Sequence, residues 1–221
     1  RHSATLQYLK LANRYFPIIE PILAEQGVPD DFKYLAVAES GLRNASSPAG
    51  AKGVWQFLAG TARERGLTVN SEVDQRYHVE KATRAACKYL KEAKRDYGTW
   101  MNAAACYNMG RTNMRKLMNA QKETQYYDIE MNEETARYVS RIVALKTIMQ
   151  NPERYGFQLE SHDLYPPFNY RIVEVNGPIA SWGDFAHKHG TSYRILKTYN
   201  PWLRSSKLTN SAKRTYHVKL P

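Results

Sequence analysis

Apolar residues recur at spacings of three and four from Leu6 to about residue 150, and this periodicity predicts α-helices throughout that region. After Asn151-Pro152 the helical period stops, and residues 153–169 have the composition of a linker. The sequence therefore predicts a mainly α protein whose last fifty or so residues have a different architecture. Within the helical region we expect breaks at Pro17, Pro21, Gly27, residues 44–48, Gly66, Gly98 and Gly110.

We expect three parts: a helical domain with an N-terminal helical extension at residues 1–152, a linker at 153–169 and a small module at 170–221. A chain of 221 residues, 43% hydrophobic and 24% charged, can form one substantial core and one small module. It has no apolar run of about eighteen residues, so we expect no membrane-spanning helix in it. It begins with Arg1 rather than Met, which suggests that a signal or lipoprotein segment was removed.

One carboxylate, Glu39, stands out because it follows an apolar stripe with helical spacing. Pro29-Asp30-Asp31 is typical of a helix start and Gly41 of a helix end, and the stripe between them is formed by Phe32, Leu35, Ala36 and Ala38. In the last turn, the negative end of the helix dipole and the apolar surroundings both raise the pKa of a carboxyl group. A carboxyl group that stays protonated near neutral pH can give its proton to a leaving oxygen.

Two further motifs follow within about seventy residues, Gly53-Val-Trp-Gln-Phe57 and Ala104-Ala-Cys-Tyr-Asn-Met-Gly110. A single glutamate near a helix end is most often solvated, and an aromatic residue such as Trp55 most often belongs to a core. Glu39 makes the chain a candidate for cleaving glycosidic bonds, and the argument depends on the combination and order of the three motifs rather than on any one of them.

These motifs resemble the catalytic domain of lytic transglycosylases, a lysozyme-like fold related to goose-type lysozyme, and most closely its membrane-bound D-type branch. The similarity covers residues 15–150 and includes Asp74-Gln-Arg76 and Glu134-Thr-Ala-Arg-Tyr-Val139. The resemblance implies that Glu39 is the sole catalytic acid and base. It also implies a set of orienting and substrate-binding residues: Ser40 beside the glutamate, Gln56, Tyr107 and Asn108 in the cleft, and Tyr138 facing the carboxylate.

Retaining and inverting glycosidases use two carboxylates, whereas the matched motifs supply Glu39 alone. The resemblance implies that the substrate takes the second role. Glu39 would protonate the β-1,4 oxygen between N-acetylmuramic acid and N-acetylglucosamine, the acetamido group would stabilise the cation, and the sugar's 6-hydroxyl would attack to give a 1,6-anhydromuramyl end. The alternatives are a hydrolytic lysozyme-type muramidase and a non-catalytic peptidoglycan-binding protein. If Glu39 were not the acid, Asp74 and Glu64 would be the next candidates.

The two cysteines, Cys87 and Cys106, lie in segments predicted to form an antiparallel helix pair at about residues 78–96 and 99–107. A disulfide and two free buried thiols are both consistent with this arrangement. No histidine stands at ligand spacing to either cysteine, and the side chains of His187 and His189 would point apart on a helix. We therefore expect no metal site and no cofactor.

Residues 170–221 have the pattern strand, helix, helix, strand, with strands at 170–175 and 215–220 and helices at 181–188 and 192–199. Together with Leu196-x-x-x-Asn200-Pro201, this pattern resembles a LysM module, a βααβ unit that binds N-acetylglucosamine chains. Asn176-Gly-Pro178 replaces the usual Gly-Asp after the first strand, and the usual glycine before the last strand is missing. Glycan binding and a purely packing role are therefore both open.

The module is basic, with nine Lys and Arg residues against Glu174 and Asp184 in a chain of net charge +11. Ala186, Gly190 and Leu196 also fall at the offsets of a DNA-binding helix-turn-helix. The flanking strands favour LysM, because a helix-turn-helix needs a third helix, and a basic patch attracts any polyanion. We expect peptidoglycan glycan strands as the partner, no nucleic acid, and a location in the bacterial cell envelope, periplasmic or held at the outer membrane by a preceding anchor.

Overall fold

The computed structural model describes residues 2–221, and helices make up most of the first 150 of them, as the periodicity predicts. The mainly α fold class is confirmed. Short 3-10 turns connect several helices, among them Asp30–Phe32 and Gln75–Tyr77. The α-helices of this region are α1 (His2–Glu25), α2 (Lys33–Ser40), α3 (Ala59–Glu64), α4 (Val79–Tyr97), α5 (Trp100–Met109), α6 (Arg111–Gln121) and α7 (Glu133–Gln150).

Helix α1 runs through Pro17 and Pro21, so the helix breaks predicted at these two positions are wrong. Proline removes one helical hydrogen bond and crowds the preceding turn, which usually kinks or ends a helix. Both prolines lie on the exposed side of α1, where water can bind the freed carbonyl oxygens. The opposite side is buried and packs on α4 and α2, and this packing keeps the helix continuous; its buried residues include Ile19, Ile22 and Leu23.

The main core lies among α1, α2, α4, α5 and α7. Helices α4 and α5 form the predicted antiparallel pair around Gly98. Trp55 is fully buried in this core, where its indole Nε1 donates a hydrogen bond to Thr83 Oγ1 at 2.8 Å. Because α2 and α5 both pack against α7, the elements that carry the sequence motifs meet on one side of the core.

The C-terminal residues form the predicted βααβ unit. Strands β1 (Arg171–Val175) and β2 (Tyr216–Leu220) pair antiparallel, with Val173 opposite Val218, and helices α8 (Trp182–Lys188) and α9 (Tyr193–Tyr199) lie between them in the chain. Side chains of both helices and of β2 are buried together, so the unit has its own apolar centre, which includes Trp182, Leu196 and Leu220.

This apolar centre also includes Val73 and Tyr77, which precede α4 in the helical region. Backbone bonds cross the junction, because Asp74 N–H donates to the Trp202 carbonyl at 2.9 Å and Arg204 N–H donates to the Glu72 carbonyl at 2.8 Å. The side chain of Lys219 in β2 also pairs with that of Glu80 in α4. The module and the helical region therefore share one continuous buried surface.

The segment predicted to be a linker lies along α1. Arg14 Nε donates to the Pro166 carbonyl at 2.9 Å, and the Arg14 guanidinium lies 4.4 Å from the centre of the Phe168 ring. Asn13 Nδ2 donates to the Tyr165 carbonyl at 3.1 Å. Among residues 2–221, no helix is long and apolar enough to cross a membrane.

Candidate active site

Helix α2 holds Glu39 in its last turn. The helix ends at Gly41, whose φ of 63° is left-handed, and a Cβ at this position would overlap the ring of Tyr8. Glu39 is the one residue of α2 that is not buried; it is half-buried, at the rim of the core. Gly41 thus fixes the end of the helix, and Glu39 stays partly exposed to solvent.

Tyr138 on α7 donates a hydrogen bond from its hydroxyl to Glu39 Oε1. The tyrosine is buried, and burial together with the nearby glutamate raises the pKa of its phenol well above the usual value. It therefore remains a neutral donor to the glutamate at any physiological pH.

Burial is the largest influence on Glu39 and raises the pKa of its carboxyl group. The Tyr138 hydrogen bond and the positive charge of Arg141 act in the opposite direction, and the negative charge of Glu134 raises the pKa further. Since the net direction is upward, a larger fraction of Glu39 is protonated near neutral pH than of an ordinary glutamate. This is the state that a general acid needs.

Ser40 is buried directly beside Glu39. Its hydroxyl lies 2.8 Å from the Val54 carbonyl oxygen and 3.2 Å from the Ala36 carbonyl oxygen, both within donating distance. The serine therefore connects the end of α2 to the Gly53-Val-Trp-Gln-Phe57 segment. This position suits an orienting role more than direct contact with a sugar.

Gln56 sits in a tight turn, with a left-handed φ of 48°. Its side-chain amide donates to the Gly53 carbonyl at 2.7 Å and to the Ala45 carbonyl at 3.2 Å, which fixes the half-buried side chain. Gly53 is required here, because its φ is 81° and a Cβ would overlap the carbonyl oxygen of Arg76. The conformation of this loop thus depends on close approach of two backbones.

A buried ion pair supports the loop that carries Gln56. Asp74 and Arg76 are both buried and make two contacts, Nε to Oδ1 at 2.9 Å and Nη2 to Oδ2 at 2.7 Å. Arg76 Nη1 also donates to the carbonyls of Gly50 and Phe57, each at 3.1 Å. Asp74, one of the alternative acids, is thus engaged in holding the loop, and the other, Glu64, is exposed at the end of α3.

Tyr107 and Asn108 follow one another near the end of α5. The Tyr107 hydroxyl donates to the Trp55 carbonyl at 2.7 Å, so α5 is tied to the loop that carries Gln56. Burial and the charge of Glu39 raise the pKa of the Tyr107 phenol well above its usual value. Tyr107 therefore lies in the electrostatic neighbourhood of Glu39 together with Tyr138.

Asn108 connects α5 to the start of α7. Its Oδ1 accepts a hydrogen bond from Thr135 Oγ1 at 2.8 Å, and its Nδ2 lies 3.4 Å from Glu134 Oε1. A cavity of about 450 Å³ opens beside these three side chains. Asn108 therefore presents polar groups to an open space, as a residue that contacts a sugar must.

The structure brings Glu39, Tyr107 and Tyr138 together. Ser40 and Gln56 hydrogen-bond to the loop next to these residues, and Asn108 lines the adjacent cavity. Sequence reasoning missed Thr135 and Arg141, whose Nη2 donates to the Ala38 carbonyl at 2.9 Å in the last turn of α2. It also gave no role to Glu134 or Arg76, although both fall inside segments that carry the resemblance. Nothing in the sequence singled out Arg141, because a cationic residue on an exposed helix face is common.

Both cysteines are free and buried, which decides between the two arrangements left open by the sequence. Burial raises the pKa of Cys87 to about 11 and that of Cys106 to about 12. No cluster of three or more His, Cys, Asp or Glu side chains that could hold a metal ion occurs in residues 2–221.

A helical fold that carries one half-buried glutamate of raised pKa, hydrogen-bonded to a buried tyrosine, is typical of enzymes that cleave glycans. Residues 16–129 match the family described as the transglycosylase SLT domain, and the chain belongs to this family. Residues 171–221 match the soluble lytic transglycosylase C-terminal LysM-like domain. The chain is 28% identical over 213 residues to membrane-bound lytic murein transglycosylase D of Escherichia coli strain K12. That alignment covers 94% of this chain and 46% of the relative, so the chain spans less than half of the relative's length.

Two solved structures have a similar fold. The 70 kDa soluble lytic transglycosylase of Escherichia coli gives a TM-score of 0.52 at 19% identity, covering 70% of this chain and 27% of that one. An inactive variant of lytic transglycosylase Slt from Pseudomonas aeruginosa gives 0.51 at 20% identity with the same two coverages. The predicted lysozyme-like helical domain followed by a small LysM-like module is confirmed.

Proposed function

We propose that this chain is a peptidoglycan lytic transglycosylase that uses Glu39 as its single acid and base. The supporting observation is the half-buried carboxyl group of Glu39, whose pKa is raised by burial and which accepts a hydrogen bond from Tyr138. Membership of the transglycosylase family and the 28% identity to a murein transglycosylase support the peptidoglycan glycan strand as the substrate class.

In the first step, protonated Glu39 gives its proton to the β-1,4 oxygen between N-acetylmuramic acid and N-acetylglucosamine, and the bond from that oxygen to the muramic acid carbon breaks. The hydrogen bond from Tyr138 strengthens as Glu39 becomes negative, because a charged acceptor binds a donor more tightly. This favours proton transfer, and the substrate's acetamido oxygen stabilises the developing positive charge.

In the second step, the carboxylate of Glu39 takes the proton of the muramic acid 6-hydroxyl while that oxygen attacks the same carbon. A 1,6-anhydro ring forms, the acetamido group is released, and Glu39 returns to its protonated state. The nucleophile is already attached to the reacting sugar, so proximity favours it over a water molecule. Gln56, Tyr107 and Asn108 bind the sugars around the cleaved bond, and Ser40 keeps Glu39 in place.

Digestion of purified peptidoglycan tests this reaction. Each product should be one water lighter than the corresponding hydrolysis product, and the digest should show no new reducing ends at muramic acid. Mass spectrometry and a reducing-sugar assay on the same sample measure both quantities. Reducing muramic acid ends as the main product would contradict the transglycosylase reaction.

Hydrolysis is the second candidate, because Glu134 supplies a second carboxylate near Glu39. It is exposed, it contacts Asn108, and its charge acts on Glu39. A retaining or inverting glycosidase needs such a partner to attack the sugar or to activate water. If reducing ends dominate the digest, Glu134→Gln should abolish them. If anhydro products dominate, the same variant should keep their chemical identity and change only the rate.

We also propose that the protein acts in the bacterial cell envelope, where peptidoglycan is found. The membrane-bound relative supports this location, and immunodetection in fractionated cells would test it.

A further inference from the structure

A second concave surface, outside the candidate active site, concentrates positive charge. Four cationic residues of α4 recur at helical spacing on one face, Lys81, Arg84, Lys88 and Lys91. Together with Arg65 and the amides of Gln26 and Gln75 they line a cavity of about 550 Å³ that contains no carboxylate among its lining residues. We call this cavity the basic groove.

Only part of this charge is neutralised within the protein. Arg84 pairs with Glu25 at 2.7 and 2.8 Å, and Arg65 pairs with Glu92 at 3.0 Å. Lys81, Lys88 and Lys91 make no ion pair with any of residues 2–221. The groove therefore has three ammonium groups without a carboxylate partner.

Among these three lysines, Lys81 gives the strongest evidence for an anion site because it is half-buried. Burial and the positive charge of Arg214 lower the pKa of its ammonium group. Isolated lysines on a solvated helix face do not experience such an environment. A bound anion would offset both influences, because an opposite charge favours the charged form of a lysine.

The residues that line the groove favour an anionic polymer over a lipid surface. The large apolar side chains that are exposed on this protein, such as Tyr127 and Ile172, do not line it. Its one large apolar lining residue, Leu67, is buried. A membrane-binding face usually combines lysines with apolar side chains that insert among the lipids, and this groove offers no such side chains.

The groove is connected to the candidate active site along the protein surface. Arg65 also lines a neighbouring cavity of about 840 Å³, whose wall includes Met109 and Gly110. Met109 in turn lines the cavity beside Asn108. Neighbouring cavities that share lining residues therefore extend from Asn108 to the basic groove.

We propose that the basic groove binds carboxylate groups of the stem peptides on the glycan strand that the active site cleaves. This inference rests on the proposed function for the identity of the strand. The lysines make charge contacts with peptide carboxylates, hold the polymer on the enzyme, and take no part in bond cleavage.

The test uses the variant Lys81→Gln/Lys88→Gln/Lys91→Gln. Its control is Lys94→Gln/Lys188→Gln/Lys213→Gln, which removes the same charge from exposed positions that do not line the groove. Both sets are made with Glu39→Gln, so that binding is measured without cleavage. The ligands are soluble glycan chains with intact stem peptides and the same chains after an amidase has removed the peptides, which leaves only the lactyl carboxylate on each muramic acid. Circular dichroism confirms that each variant is folded.

We expect the groove variant to bind the peptide-bearing chains about tenfold more weakly than the control, because three charge contacts are lost. Binding of the peptide-free chains should change less than about twofold, and the difference should shrink at high salt. Equal weakening for both ligands, or no weakening for either, would overturn the proposal. The proposal would also be overturned if the groove variant lost binding to vesicles of anionic phospholipid and bound both glycan ligands as the control does. That result would assign the groove to a membrane.

The wild-type protein is assayed for anhydro products in parallel. If these products are missing while the groove variant still discriminates between the two ligands, the groove stands and the proposed function fails. If the products form and the discrimination does not appear, the groove proposal fails alone.

Discussion

Glu39 is held between opposing influences, and their balance sets its protonation. Burial and the charge of Glu134 raise its pKa, while Tyr138 and Arg141 lower it. In the proposed mechanism Glu39 acts first as an acid and then as a base, and such a balance suits it because an extreme pKa would favour one of the two steps at the expense of the other. The residues around Glu39 therefore matter for the pH range of activity as much as for its rate.

Replacing Glu39 with Gln should lower the cleavage rate at least a hundredfold, since general acid-base catalysis contributes about that factor or more. Stability should be equal or higher at neutral pH. The folded protein binds the Glu39 proton more tightly than the unfolded chain does, so the stability contributed by this group is present below pH 4.5 and is lost as pH rises through the raised pKa. Thermal melts of both proteins from pH 4 to 8 measure the difference. Glu64→Gln is the matched control, and its loss of activity would move the catalytic assignment.

Arg141→Gln should shift the alkaline limb of the activity profile to higher pH. The guanidinium lowers the pKa of Glu39, so its removal leaves the acid protonated over a wider range, with Tyr138, Tyr107 and Glu134 unchanged. Lys146→Gln removes a charge from the same helix, where the lysine pairs with Asp31 at 2.7 Å, and should leave the limb in place. The profile of kcat/KM against pH measures the shift, and identical profiles for both variants would refute the role of Arg141. The shift should shrink with added salt because Arg141 is exposed.

At the residue level, Glu39 and Tyr138 could be proposed from the sequence because the motifs that carry the resemblance are local patterns, and the two side chains are in contact. It did not supply Arg141, because the contact joins residues that are 103 positions apart and depends on how α7 crosses the end of α2. Contacts of this kind follow from packing and leave no local pattern.

Among the structural elements, the loop that carries Gln56 combines its own hydrogen bonds, such as the pair between Lys52 and Phe57, with support from a separate segment. Arg76 binds two of its carbonyls, and Asp74 holds Arg76 in place. The local sequence did not show that α1 continues through its prolines or that Asp74 and Arg76 form a buried pair under this loop, since both depend on burial. Helices α4 and α5 could be assigned from the local sequence, because their apolar period and Gly98 are local signals.

Asp74→Asn should destabilise the protein by about 3 to 5 kcal/mol, because it leaves the Arg76 guanidinium buried without its charge partner. Urea denaturation measures the loss. The fraction that is still folded should keep most of its activity per molecule, since Asp74 holds the loop and takes no part in the proposed mechanism. A fully folded Asn variant without activity would instead show a catalytic role for Asp74.

For the molecule as a whole, the junction with the C-terminal module is part of the core rather than a flexible tether. Trp202 stacks on Tyr216 within the module and on His78 of the helical region, with ring centres 5.6 and 5.7 Å apart. The sequence predicted the βααβ order, but the shared apolar centre with Val73 and Tyr77 arises only when the two parts meet.

Trp202→Ala should therefore destabilise the entire chain by about 3 to 5 kcal/mol, the usual cost of emptying a site that held a large aromatic side chain. Calorimetry should show one unfolding transition for the wild type and one, at lower temperature, for the variant. Deleting Tyr170 to Pro221 should likewise lower the stability of the helical region, because Val73 and Tyr77 become exposed. Two separate transitions in the wild type would contradict this coupling.

Chemical labelling of the two buried cysteines can measure how often the core of the protein opens. With pKa values of about 11 and 12, Cys87 and Cys106 form almost no thiolate at neutral pH, and no solvent reaches either sulfur. A thiol reagent should therefore modify them only at the rate at which the core opens, and low urea should accelerate labelling as it accelerates opening. Rapid labelling of the native protein would disprove this. In an oxidising compartment the same burial protects both thiols from damage for as long as the fold stays closed.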